Sequence, residues 1–377
     1  MIAQRDLEEI RKRDFLEIKN HYREFDDVET KLVFGKRMNN AFLTVIIPVY
    51  DHPFELMKRA VDSVLNQYCD YAVQVLVIDD YASREGVSPL EEYLRSINDN
   101  RVIYYRNCKN LGVFGNWNRG IELSNSEWIT ILHTDDFYKC NFLQTMKDIV
   151  VEHPEIDQLA CNYKLIDIVK FKQDIAKEFR GNYGVANVYK VSYLDYMYEM
   201  YTSVKGAFYK REVMIALGGF RSQGDGLGLD DYPLMMKYAY YYNTYLLDKV
   251  MYVDSWGYND SLNTKHWYPE LVENYYMWIY FANKEKGVVK RILKKRAQYL
   301  LSFRAREFND GTSWVGVPVA IDFEELMSCC NIKKLYTNRF MAKVLYYLSK
   351  GIIKVKKGDV IGFTALMAQN ETNFKLR

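Results

Sequence analysis

From Phe42 onward the chain alternates short, near-continuous apolar runs with segments of helical spacing. Phe42-Leu43-Thr44-Val45-Ile46-Ile47-Pro48 and Val73-Gln74-Val75-Leu76-Val77-Ile78 are runs of the kind that fill parallel strands covered on both faces. Helix-like stretches at 53–67, 88–97 and 113–123 lead on to two further strands, Arg101-Val102-Ile103-Tyr104-Tyr105 and Trp128-Ile129-Thr130-Ile131-Leu132. Strands alternating with helices in this way predict right-handed crossovers and an α/β fold, a mainly parallel sheet flanked by helices. Residues 1–40 form a charged prelude, Asp6-Leu7-Glu8-Glu9-Ile10-Arg11-Lys12-Arg13, which reads as an N-terminal helical extension. Beyond Asp136 the alternation loosens, with strand-like Leu159 to Ile168 and mixed elements to His266, and this half is expected to form the second wall of a cleft. From Pro269 the signal is helical and basic. Val288, Val289, Ile292, Leu293, Leu300 and Phe303 can share one face opposite Lys290, Arg291, Lys294, Lys295 and Arg296, and Phe340 to Lys357 repeats the style. The expected parts are 1–40, an α/β unit at 41–266 divided after residue 140, and a basic helical region at 267–377.

The 377 residues exceed what one core fills comfortably. Apolar residues at 49% and charged residues at 27% exclude disordered and fibrous classes. Lys+Arg 51 against Asp+Glu 49, net +2, is too balanced for a general nucleic-acid surface, so no nucleic-acid partner is expected. Cys69, Cys108, Cys140, Cys161, Cys329 and Cys330 form no Cys-x-x-Cys pair and read as reduced thiols. Met1 to Arg13 lacks the apolar stretch of a secretory signal, and no run approaches the roughly 18 apolar residues of a spanning helix. A cytoplasmic location is expected, with the inner face of the cell membrane as a resting place.

In an open parallel sheet, ligands bind beyond the carboxyl ends of the strands. Three predicted strands end there in Pro48-Val49-Tyr50-Asp51, Asp79-Asp80-Tyr81-Ala82-Ser83 and His133-Thr134-Asp135-Asp136. Taken singly, such acids cap the next helix or accept backbone N–H groups in a turn. Acids at three strand ends outweigh that reading. Clustered carboxylates repel unless a divalent cation sits between them and an anionic ligand. A diphosphate meets the demand, since the cation then neutralises charge on the departing group. The pattern points to a nucleotide-diphosphate donor.

Thr44-Val45-Ile46-Ile47-Pro48-Val49-Tyr50, Ser63-Val64-Leu65-Asn66-Gln67, Val77-Ile78-Asp79-Asp80, Asn110-Leu111-Gly112, Asn118-Arg119-Gly120 and Leu132-His133-Thr134-Asp135-Asp136, in this order, resemble a family 2 glycosyltransferase of the GT-A (Rossmann-like) fold. The resemblance is strong over about 42–140 and moderate over 203–265. It implies inverting transfer of a sugar from a nucleotide-sugar, UDP- or dTDP-linked, to an acceptor hydroxyl, with Mn²⁺ or Mg²⁺. Residues 41–140 then become the nucleotide-sugar half and 141–266 the acceptor half. Pro48, Tyr50, Asp80, Asn110, Arg119 and Asp135 are the donor candidates, Tyr50 against the nucleobase and Asp80 hydrogen-bonded to it. Asn110 and Arg119 read equally well as a turn cap and a solvated helix residue. Asp135 closes the Asp-x-Asp motif and, with Asp136, is the metal candidate. His133 stands where the first Asp of the motif usually is, and two readings stay open for it, a ribose or metal ligand and a packed side chain.

Inverting transfer needs a base opposite the leaving diphosphate. Gly218-Gly219-Phe220 followed by Gly228-Leu229-Asp230-Asp231-Tyr232 resembles the family's Gly-Gly-Phe segment and Glu-Asp motif, with Asp230 replacing the Glu. Asp231 is the candidate base and Asp230 its neighbour; the alternative is N-capping of a helix from Tyr232 to Tyr241. Asp225 lies in a Gly-rich stretch that reads best as a turn. His266 joins the candidates as a metal ligand from the C-terminal side, against a surface reading. The absence of a Gln-x-x-Arg-Trp motif favours one sugar per encounter over processive synthesis.

The basic C-terminal helices read as solvated faces or as a peripheral contact with an anionic bilayer carrying a lipid-linked acceptor. Tyr275, Tyr276, Trp278, Tyr280 and Phe281 suit core packing, sugar stacking or a homodimer surface. The expected role is synthesis of a surface polysaccharide, capsule or cell-wall glycan. Two rivals remain: a non-catalytic glycan-binding or scaffold protein on the same fold, and a sugar nucleotidyltransferase, which should carry a Gly-rich loop where Pro48-Val49-Tyr50-Asp51-His52-Pro53 has no glycine.

Overall fold

A computed structural model of the chain describes residues 4–80, 86–167, 184–197, 204–221, 231–257, 267–313, 317–356 and 361–366. The chain begins with α1 (Gln4–Lys12), a 3-10 turn (His21–Phe25) and β1 (Thr30–Phe34). Next come β2 (Leu43–Val49), α2 (Phe54–Leu65), β3 (Val73–Asp79), α3 (Pro89–Ile97), β4 (Val102–Asn107), α4 (Gly112–Leu123) and β5 (Trp128–Ile131). The second half contributes β6 (Phe137–Tyr138), α5 (Phe142–Glu152), β7 (Gln158–Asp167), β8 (Gly184–Val191), α6 (Tyr193–Tyr196), β9 (Ala207–Lys210), α7 (Arg211–Ala216), α8 (Asp231–Tyr241) and β10 (Thr244–Trp256). Helices α9 (Trp267–Lys284), α10 (Gly287–Asn309), α11 (Phe323–Cys329) and α12 (Arg339–Lys356) follow, and β11 (Ile361–Leu366) returns to the sheet.

The strands form one sheet in the order β1-β4-β3-β2-β5-β9-β7-β10-β8-β11, with β6 paired to β10. Strands β4, β3, β2 and β5 are mutually parallel, β9 is antiparallel to both its neighbours, and β7 and β10 are again parallel. This is the α/β sheet flanked by helices that the sequence predicts. Its first half is continuous because β2 and β3 bury both faces. Val45 and Ile47 join Val61, Val77 and Phe142 on one side, while Ile46 meets Ile121 and Trp117 on the other. Each such aliphatic side chain contributes about 1.5–3 kcal/mol when fully buried. Gly120 lets α4 approach β2 closely, since a Cβ there would lie 2.5 Å from Ile46 Cγ2.

Register brings the functional loops to one edge. Val49 lies opposite Asp79, Asp80 N donates to Val49 O at 2.8 Å, and Leu132 N donates to Ile46 O at 2.9 Å. The chain therefore leaves β2, β3 and β5 on the same side of the sheet.

Several expectations need correction. The prelude holds a strand as well as a helix, because β1 pairs antiparallel with β4. The helix after Asp136 starts only at Phe142, following Asn141, so Asp135 and Asp136 do not cap it. Val288 is exposed, while α10 buries Leu293 and Leu300 as expected, together with Ala297, Leu301, Ala305 and Phe308. Helices α9 to α11 share their apolar cluster with α8 and β9, so their core is continuous with that of the α/β unit. The N-terminal segment crosses the same junction, with Arg11 Nη2 donating to Cys329 O at 2.9 Å and Arg13 ion-paired to Glu273, which also holds Arg221 at 3.1 Å.

Candidate active site

At the exit of β3, Asp79 accepts from Tyr104 Oη at 2.7 Å and from Arg106 Nε at 3.2 Å. Asp80 turns the other way. Its Oδ1 accepts from Asn107 Nδ2 at 2.8 Å and from Leu111 N at 2.9 Å. Burial pushes the Asp80 carboxyl up to about 6, against these hydrogen bonds. Asn107 is itself held by Asn116 Oδ1 at 2.9 Å and by Thr30 Oγ1 at 2.7 Å. The carboxylate is thus fixed by β1, β4 and the start of α4.

At the exit of β5, His133, Asp135 and Asp136 each offer one ligand atom, and these atoms lie within 4.8 Å of one another. The His133 ring packs on Trp117 with centroids 4.8 Å apart, and its Nε2 is buried with no hydrogen-bond partner among the described residues. Burial, and then the charges of Lys205 and His52, hold this imidazole well below its ordinary range, so it stays neutral. Burial raises the Asp135 carboxyl against the pull of Lys205 and His52. Arg59 Nη2 donates to the Asp135 carbonyl and reaches Ser255 Oγ at 3.1 Å, while His52 Nδ1 meets Thr134 Oγ1.

The sequence reading missed the cation of this cluster. Lys205 Nζ lies 2.9 Å from Asp136 Oδ2 and 3.0 Å from Asp254 Oδ1, and Asp136 Oδ1 accepts Ser255 N at 2.7 Å. Burial works against the ammonium charge, but Asp136, Asp254 and Asp135 overcome it and keep Lys205 above the ordinary lysine range. Gly206, at φ +67, allows the approach, because a Cβ there would strike the Tyr252 ring at 2.1 Å. Lys205 thus balances charge on Asp136 by an ion pair. Asp135, Asp136 and the His133 Nε2, the last a buried atom with no hydrogen-bond partner among the described residues, form a donor set that fits a divalent cation.

The other predicted residues are dispersed. Pro48 is half-buried at the end of β2, opposite Ile78, and Tyr50 beyond it is exposed. Asn110 adopts the turn-cap role, its Oδ1 accepting Gly112 N at 2.7 Å. The Arg119 guanidinium binds Val28 O at 2.9 Å, Phe25 O at 2.7 Å and Thr30 Oγ1 at 2.6 Å, so it faces the N-terminal segment. Asp231 is the first residue of α8, and its Oδ1 accepts Tyr232 N at 2.8 Å. Near it Glu270 is pushed well above the carboxylate range by burial and then by the Asp231 charge. Asp225, Asp230 and His266 lie outside the described residues.

Residues 44–217 match the sequence model of Glycosyl transferase family 2, and they contain Asp80, the His133–Asp136 cluster and Lys205. That stretch of the chain is similar to family 2 glycosyltransferases. Over 143 residues it is 23% identical to an uncharacterized glycosyltransferase, MJ1057, of Methanocaldococcus jannaschii, covering 38% of this chain and 48% of that protein. Over 174 residues it is 24% identical to GalNAc(5)-diNAcBac-PP-undecaprenol beta-1,3-glucosyltransferase of Campylobacter jejuni, covering 46% and 52%. The matched stretches span about half the length of these relatives. Among solved structures, TarS 1–349 of S. aureus in complex with UDP-GlcNAc aligns over 77% of this chain and 78% of that one, at 18% identity and a TM-score of 0.49. No described helix is long and apolar enough to cross a membrane.

Proposed function

We propose that the chain is an inverting glycosyltransferase of family 2 that moves a sugar from a UDP- or dTDP-linked donor to a hydroxyl of a glycan or lipid-linked acceptor. Surface polysaccharide synthesis is the context this reading carries. The observation behind it is the cluster of His133, Asp135 and Asp136 beyond the end of β5, with Asp80 beyond the end of β3, at carboxyl ends of parallel strands within residues 44–217. The C. jejuni relative, named as a glucosyltransferase for an undecaprenol-linked glycan, supports the acceptor class.

Asp80 accepts an N–H of the nucleobase, and Asp135 with His133 Nε2 holds the divalent cation, Mn²⁺ or Mg²⁺. That cation would neutralise charge on the diphosphate. Asp231 takes the proton of the acceptor hydroxyl as its oxygen bonds to the anomeric carbon. The bond from that carbon to the diphosphate oxygen breaks, its electron pair leaving with the nucleotide, and the configuration inverts.

Thermal shift with a panel of nucleotides and nucleotide-sugars, with and without Mn²⁺, tests the donor site. A UDP or dTDP species at a hundred times its Kd should stabilise the chain by about 2.7 kcal/mol. The effect should require the metal and vanish in Asp135→Ala. Stabilisation that ignores both metal and Asp135 would overturn the assignment.

Asp80 gives a pH signature. Its raised pKa means the carboxylate that receives the nucleobase is lost as pH falls through about 6. Donor affinity should drop about tenfold at one unit below that value. In the free fold the sign reverses: the buried charge costs stability as pH rises from the unfolded value through about 6. Asp80→Asn should therefore weaken donor binding at neutral pH without lowering Tm, and calorimetric titration against pH checks both halves.

A further inference from the structure

Helix α12 has two apolar faces. Ala342, Leu345, Tyr346 and Ser349 turn inward, Leu345 and Ser349 buried and the Tyr346 ring lying under Arg296 of α10 at 5.7 Å. That face alone suffices to dock the helix. Yet the outward face, which a solvated helix would fill with polar groups, carries Phe340 at 72% exposure, Tyr347 at 68% and Leu348 at 49%, with Met341 beside them. These positions follow i, i+1, i+7 and i+8, so they form one stripe.

The charge beside the stripe is of one sign. Arg339 and Lys343, both exposed, stand at i and i+4 along its edge. Arg339–Lys356 contains no Asp or Glu. A second copy of the same helix would bring like charges together, whereas a sheet of anionic headgroups complements the basic row and receives the aromatic stripe.

We propose that the outward face of α12 is a docking surface for an anionic lipid bilayer, on which the helix lies flat with Phe340, Tyr347 and Leu348 in the headgroup boundary and Arg339 and Lys343 against lipid phosphates. This goes beyond the transfer reaction and uses none of its residues. An interfacial helix of this kind needs no spanning segment, and it would hold the active site beside lipid-linked acceptors.

The full chain should co-sediment with phosphatidylcholine vesicles carrying phosphatidylglycerol, release at high salt, and bind pure phosphatidylcholine vesicles far more weakly. Each basic side chain near such a surface is worth about fivefold in partitioning. Arg339→Glu with Lys343→Glu should therefore reduce binding by more than about twentyfold. Phe340→Ser with Tyr347→Ser should weaken it as well. Both pairs are exposed and should leave Tm, metal-dependent donor binding and transfer to a soluble acceptor unchanged, so that loss of vesicle binding is read separately from the catalytic assignment. Equal binding to neutral vesicles, no binding to either, or vesicle binding unaffected by both variant pairs would overturn the proposal. So would light scattering that shows a dimer dissolved by the Phe340/Tyr347 pair, which would assign the face to a second copy.

Discussion

Asp231→Asn should keep metal-dependent donor binding while transfer falls about 10²- to 10⁴-fold, the range a positioned general base supplies. The substitution preserves side-chain shape and a carbonyl oxygen that can still accept Tyr232 N, so α8 should start unchanged. The neighbouring carboxyl gives the expectation its sharpness. Glu270 Oε2 is buried without a hydrogen-bond partner among the described residues, and the group is pushed well above the carboxylate range by burial and then by Asp231. Held toward its protonated form in this way, Glu270 is a poor substitute base. The measurement is single-turnover transfer beside donor titration: near-parental transfer by Asp231→Asn would end the base assignment, whereas lost donor binding would mean that Asp231 serves the donor side.

The second large effect is on stability. Lys205→Met should destabilise the fold by about 3–5 kcal/mol, because it leaves the fully buried Asp136 and the half-buried Asp254 without their shared cation. The methionine fills similar volume, so the loss is chiefly electrostatic. Burial raises the Asp136 carboxyl well above the carboxylate range, so in the variant its charge costs stability as pH rises. The gap from the parent protein should therefore narrow as pH falls and Asp136 takes up a proton. Adding Asp136→Asn removes one of the stranded charges and should recover a substantial part of the deficit. Urea denaturation of the single and double variants at neutral and acid pH checks this, and a single variant as stable as the parent would refute it.

The residues explain which parts of the fold were legible. Strands β2 and β3 are buried on both faces, and nothing but a β-branched run serves there. Strand β1 has exposed and half-buried residues, with Thr30 and Lys31 in its pattern, and reads as more of the charged prelude. Strand β10 hides Asp248 and Lys249 at a register shift between Leu247 and Val250, which interrupts its periodicity. At the site, Asp80, Asp135 and Asp136 were legible because each directly follows a recognisable strand. Lys205 and Asp254 meet Asp136 only because β9 inserts antiparallel between β5 and β7 while β10 pairs with β7, and no local spacing encodes that meeting. The Asn107–Asn116 brace beneath Asp80 was equally silent, since Asn107 alone looks like ordinary turn chemistry after a strand and Asn116 like a polar position within a helix.

The sheet's outermost strands also bear on how the domain can be handled. Strand β1 precedes the family-matched segment, and β10 and β11 follow it. A fragment trimmed to residues 44–217 would strip the partners from β4, β7 and β8, baring rows of unpaired amides and carbonyls that invite edge-to-edge aggregation. Expression of this α/β unit should respect the flanking strands as part of its solubility.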